Sequence, residues 1–129
     1  MLEEDADDVR ATYTALAEGL APLGIAFLDV LHADPAGELV QHIRRTIGAP
    51  FVANSGFAEP TTRMEAMGLV ENGLADAVGV GRAAIANPDL PVRWERDLPE
   101  NAVDASTLYG TTAAGYVDYP ALEDERASA

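Results

Sequence analysis

The 129-residue chain contains no cysteine and no lysine. Without thiols it has neither a disulfide framework nor a thiolate metal site, which suits a reducing compartment. Two histidines, His32 and His42, do not make a zinc set, so no metal is expected. Positive charge is scarce: eight arginines face 22 acidic residues, for a net charge of −14. That field repels nucleic acid and reads as a solubilising surface. No apolar run approaches the roughly 18 residues of a membrane span. The start Met1-Leu2-Glu3-Glu4-Asp5 is the opposite of a basic signal-peptide start, so the expectation is a soluble, cytoplasmic protein. No Ser-His-Asp set, paired-carboxylate site or Gly-Lys-Ser/Thr loop is present, and no catalytic residue is assigned.

What is present is a rhythm. Val9, Tyr13, Leu16 and Leu20 recur at helical spacing behind an acidic first turn, which predicts an amphipathic helix over residues 6–20. Ile25-Ala26-Phe27-Leu28-Asp29-Val30-Leu31 is mostly apolar and too short for an ordinary helix, as a strand covered on both faces would be. Asp34-Pro35 predicts the start of a second helix, with Leu39, Val40, Ile43 and Ile47 inward and Gly48 as the stop. Pro50 to Asn54 reads as a second strand. A third helix is expected to start near Glu59-Pro60-Thr61-Thr62 and to turn Met64, Met67 and Val70 inward before Asn72-Gly73 closes it. Ala77 to Val80 reads as a third strand, followed by one short helix over 92–97 and a tail rich in Gly, Thr and Tyr. Strands about 25 residues apart with a helix in each gap call for parallel βαβ units, hence an α/β fold. The 48% hydrophobic composition is enough for one domain with a real core, and no repeat or linker divides residues 1–129.

In parallel α/β folds ligands collect where the strands end. Two ends here carry glycine: Asn54-Ser55-Gly56-Phe57 and Gly79-Val80-Gly81-Arg82. Glycine lets the main chain approach an anion, and the planar fork of Arg82 can hold two phosphate oxygens at once. The bland alternative is that Gly81 merely ends a strand and Gly56 merely turns a loop. An arginine directly after an apolar strand argues for an anion, because a buried guanidinium needs one. Asn87-Pro88-Asp89 is expected to shape a turn and cap a helix. Asp29 and His32 close the first strand and are placed to face one opening, whereas His42 belongs to the polar side of its helix.

Several pieces stand in one order: Phe51-Val52-Ala53-Asn54-Ser55-Gly56-Phe57, Gly73-Leu74-Ala75-Asp76-Ala77-Val78, Gly81-Arg82, Ile85-Ala86-Asn87-Pro88-Asp89-Leu90, Thr107-Leu108-Tyr109 and Gly115-Tyr116-Val117-Asp118-Tyr119-Pro120. In this order and spacing they resemble the C-terminal portion of the Old Yellow Enzyme family, flavin-dependent ene reductases and NADPH dehydrogenases. The resemblance runs from the first helix to about Leu122. It implies that the three strands are the last three of a flavin-binding TIM (β/α)8 barrel. It also implies that Ser55, Gly56, Phe57, Gly81 and Arg82 bind the cofactor FMN, and that Leu108 and Tyr109 lie beside the flavin ring and substrate pocket. The implied activity is hydride transfer from NAD(P)H through FMN to a small activated alkene.

The matches come with departures. The loop Asn54-Ser55-Gly56 stands where many relatives carry a glycine pair or Ala-Gly, and Asp29 stands where relatives commonly carry histidine. A complete barrel of this type needs about 250 residues. The substrate-binding His/Asn or His/His pair, the proton-donating tyrosine and the basic residue near flavin N1 have no counterpart here. The chain therefore reads as a fragment that is inactive alone, prone to self-association or to pairing with an N-terminal partner chain. The alternatives are a noncatalytic remnant or subunit, or another phosphate-binding barrel enzyme such as a sugar-phosphate isomerase or aldolase, for which only Asp29 is placed as acid or base.

Overall fold

The computed structural model describes residues 5–56 and 59–122. Helix α1 (Ala6–Leu20) starts where the Asp5 carboxylate accepts from the Asp7 amide at 2.9 Å, and a 3₁₀ turn (Ala21–Leu23) ends it at Gly24. The chain continues through β1 (Leu28–Leu31), α2 (Glu38–Ile47), β2 (Phe51–Asn54), α3 (Arg63–Glu71), β3 (Ala77–Val78), α4 (Arg82–Ala86) and α5 (Leu90–Glu95). The strands form one parallel sheet in the order β1-β2-β3, with Leu28 opposite Phe51 and Val52 opposite Ala77. Alternation of strand and helix produces the expected parallel α/β architecture.

Period-2 alternation divides the strand residues between two faces. Phe51 and Ala53 point at the helices and meet Val40, Leu69 and Ala75, with Leu28, Val30 and Val78 packed around them. A second cluster of Ala17, Ile43 and Ile47 joins α1 to α2. The first strand is not covered on both faces as its apolar run predicts. Among the described residues Leu28 and Val30 pack toward the core, while Asp29 and Leu31 are exposed, Leu31 at 51%.

Three other expectations change. In α1, Ala17 is fully buried while Tyr13 and Leu16 stay about half exposed, because close helix packing favours the small side chain. In α3, Ala66 and Leu69 are buried, and Met64, Met67 and Val70 are exposed. The inward stripe is displaced by one residue, about 100° of helical rotation, toward the small side chain that lets the helix approach the sheet. Helix α2 starts after Gly37 rather than Asp34. Asp34-Pro35 makes a turn instead, in which the Gly37 amide donates to the Asp34 carbonyl at 3.2 Å. A Cβ on Gly37 would lie 2.8 Å from the Asp34 carboxylate. The third strand is shorter than expected, α4 was not anticipated, and the last helix begins two residues earlier than its pattern implies.

Candidate functional site

Pairing of Ala53 with Val78 sets the ends of β2 and β3 side by side, and the ladder extends one bond further as the Gly79 amide donates to the Ala53 carbonyl at 2.8 Å. Beyond that bond the chain turns through Gly81 into α4. The half-buried Arg82 opens this helix and sends Nη2 across to the Gly56 carbonyl at 3.0 Å. The two predicted loops therefore converge, tied together by the predicted guanidinium. Asn54 organises the junction: its Oδ1 accepts from the Gly56 amide at 3.1 Å. Gly79 leaves it room, since a Cβ there would come within 3.3 Å of the Asn54 amide nitrogen.

Beside this junction is a cavity of about 160 Å³ lined by Asn54, Gly56, Thr61, Arg82, Leu108 and Tyr109, among others. Gly81 lines it too. Its volume falls below the roughly 300 Å³ of a site enclosing a drug-sized ligand, so it fits a head group rather than a whole cofactor. Among the described residues that line it Arg82 is the only ionisable cation, and no described Asp or Glu lines it. In a chain of net charge −14 this is a local reversal of sign. The amides of the first turn of α4 have no intrahelical acceptor and are oriented as anion donors are at helix starts.

Ser55 stands next to the cavity with its hydroxyl 3.1 Å from that of the buried Thr61. Phe57 lies outside the described residues. Tyr109 is 88% exposed and adopts a left-handed φ of 61°, a conformation that few non-glycine residues adopt. Its amide donates to the Tyr116 hydroxyl at 2.9 Å, and Tyr116 also lines the cavity. Asn54, Thr61 and Tyr116 line the cavity without a sequence signal that marks them. A carboxamide or hydroxyl near a glycine loop carries no pattern of its own, and Tyr116 reaches the cavity from 34 residues beyond Arg82 in sequence.

Asp29 and His32 line a different opening, an apolar groove of about 330 Å³ between α1, β1 and α2. His32 is engaged in the turn after β1, where its Nδ1 lies 2.9 Å from the Asp34 amide. Asn87 does shape a turn: it is 1% exposed, and its side chain donates to the Ala83 carbonyl at 2.9 Å. Asp89 precedes α5 without capping it through its side chain, because its carboxylate is taken by Arg93 Nε at 2.7 Å and by the Leu122 amide at 2.8 Å. Among the described residues no cluster of three or more acidic or histidine side chains is arranged to hold a metal, and no helix is long and apolar enough to cross a membrane.

No family model matches the chain. It is 43% identical over 82 residues to 12-oxophytodienoate reductase 1 of Oryza sativa subsp. japonica, covering 63% of this chain and 20% of the relative. A Leishmania infantum protein named "Probable flavin mononucleotide-dependent alkene reductase" is 38% identical over 122 residues, covering 92% of this chain and 32% of the relative. Among solved structures, morphinone reductase in complex with tetrahydroNAD superposes with a TM-score of 0.78 at 31% identity, covering 94% of this chain and 32% of that one. A variant of NCR from Zymomonas mobilis gives 0.77 at 30% identity, covering 93% of this chain and 40% of that one. The chain thus spans between a fifth and a third of the length of these two curated relatives. Its open three-stranded parallel sheet with helices corresponds to part of the (β/α)8 barrel of these solved structures.

Proposed function

The chain is a relative of the C-terminal portion of the Old Yellow Enzyme family, and from that kinship we propose that it supplies the FMN-phosphate grip of a flavin-dependent oxidoreductase. One observation carries the reading. The Arg82 guanidinium, fixed at 3.0 Å on the Gly56 carbonyl, shares with Gly81 a cavity that no described Asp or Glu lines. A dianion fits that donor set, since its charge is matched by a forked cation beside the start of a helix.

In this reading Arg82 and the amides around Gly81 hold the phosphate. Gly56 contributes its carbonyl to orient Arg82 more than its amide to the anion, because Asn54 already accepts from that amide. Ser55 and Thr61 back the loop, and Leu108 and Tyr109 form the wall toward the ring and the substrate. Bound FMN would supply hydride chemistry, taking a hydride from NAD(P)H and passing it to an activated alkene. The residues of this chain position the cofactor and exclude water, and the chain alone does not turn over substrate. The sugar-phosphate alternative loses support, because Asp29 lies on the α1 groove rather than beside the phosphate cavity. Completion by another chain keeps its support, since β1 and β3 are both edge strands of an open sheet.

Titration of FMN with the purified chain, followed by flavin-fluorescence quenching, tests the assignment. Quenching is expected, with affinity about tenfold weaker or worse in Arg82→Ala, the cost of losing charge-assisted hydrogen bonds. Unchanged affinity in that variant rules out the phosphate role. Addition of NADPH and cyclohexenone is expected to give no turnover, and robust reduction would overturn the statement that the chain is inactive alone.

A further inference from the structure

Between α5 and Leu122 the described chain runs for about 25 residues without a regular helix or strand. Segments of that length inside a compact unit are uncommon and are either functional or loose. This one is tied at its base. Arg93, 1% exposed, donates through Nη1 to the Pro99 carbonyl at 2.7 Å and through Nη2 to the Pro120 carbonyl at 3.2 Å. Asn101 donates through Nδ2 to the carbonyls of Ala86 at 2.9 Å and Pro120 at 2.8 Å. Its amide donates to Asn87 Oδ1 at 2.6 Å. The outgoing and returning limbs of the loop are thus fastened at one point, against the C-terminal end of α4 and the buried face of α5.

The tip of the same loop carries Leu108, Tyr109 and Tyr116 to the cavity. That cavity lies at the other end of α4, where Arg82 begins the helix. Five helical residues span only about 7.5 Å. One short helix therefore has the anion-binding arginine at its start and the loop fastening at its end. We propose that Asn87, Arg93 and Asn101 are positioning residues, whose hydrogen bonds hold the loop over residues 102–119 so that Tyr109 and Tyr116 wall the cofactor cavity. The cavity part of the proposal rests on the FMN reading above, whereas the fastening does not.

The test is amide hydrogen exchange with mass-spectrometric readout on the full chain, beside the FMN titration. Asn101→Ala removes two donors from a partly exposed side chain and is expected to speed exchange across 102–119 about tenfold, to leave 38–54 unchanged, and to weaken FMN binding about fivefold, as loss of roughly one hydrogen bond each would. Arg82→Ala is expected to weaken FMN binding while leaving exchange over 102–119 unchanged, a split that general destabilisation does not give. Arg93→Lys keeps a cation beside Asp89 but loses the fork, so it is expected to repeat the Asn101→Ala pattern. Unchanged exchange in both loop variants overturns the proposal, as does an opened loop with undiminished FMN affinity. If the unaltered chain fails to quench FMN, the cofactor reading falls and exchange over 102–119 alone decides the fastening: protection lost there in Asn101→Ala and Arg93→Lys supports it, and protection kept in both overturns it.

Discussion

Phe51 and Arg93 are equally hidden, at 0% and 1% exposure, yet their side chains meet different surroundings. Phe51 lies among Val40, Ala53, Leu69 and Ala75, which would accept many apolar shapes of similar volume. Arg93 lies among the Asp89 carboxylate and the carbonyls of Pro99 and Pro120, which accept only a planar forked donor at that spot. The sheet and its helices are held mainly by area removed from water, with Gln41 and Asp76 adding directed bonds at the edges of the core. The segment after β3 is held by a few directed hydrogen bonds around buried polar side chains. Damage to the first should spread through the whole unit, while damage to the second should stay where it is made.

The largest effect is expected from Phe51→Ala. Emptying that site costs about 3–5 kcal/mol in a typical core, a large share of the roughly 5–15 kcal/mol of a domain. Urea unfolding followed by far-ultraviolet circular dichroism should show one transition shifted to much lower denaturant, with the loop lost together with the sheet. Survival of the sheet signal would break the distinction. A smaller effect is expected from Gly115→Ala, at a buried glycine with φ of +77° where a Cβ would overlap the Thr107 side chain. Strain of this kind costs about 1–3 kcal/mol, and it falls inside the loop. Faster proteolysis within 102–119 with an unchanged sheet transition would sharpen the contrast; a matching loss of sheet stability would erase it.

The same contrast explains what the sequence could reveal. Apolar periodicity carries α1, α2 and the strands, because area burial leaves a 3.6- or 2-residue imprint on composition. It misplaces the inward face of α3, since Ala66 and Leu69 make a weak stripe beside the more conspicuous Met64, Met67 and Val70. It also misses α4, whose five residues are too few to show a period. The glycine loops were legible because they follow successive parallel strands, and Arg82 because a guanidinium after an apolar strand calls for a partner. The loop fastening was not. Asn87, Arg93 and Asn101 are ordinary polar residues in sequence, and only the folded chain shows Asn101 against Ala86 and Pro120 at once.

Acid should separate the two regions by the smallest margin, and with a definite sign. Burial alone would raise the Asp89 carboxyl, but the Arg93 hydrogen bond, the Leu122 amide and the charge of Arg93 outweigh it and hold the group below its ordinary value of 3.8. A carboxyl depressed in the folded state contributes its full stabilisation above the unfolded value and loses it as the pH falls through the lower folded one. The loss therefore belongs below about pH 4. Asp104, held down by the Ser106 hydroxyl and amide, titrates in the same direction and lies in the same loop. The chain as a whole responds oppositely at first, because protonating part of an excess of 14 negative charges relieves self-repulsion. Between pH 7 and 5 the sheet should hold or gain stability, and below about pH 4 the loop should loosen before the sheet does. Pepsin, active in that range, is expected to cut first within 102–119 while 28–78 stays intact. First cuts in the sheet would place the acid-sensitive contacts elsewhere and remove Asp89 and Arg93 from their role in closing the loop.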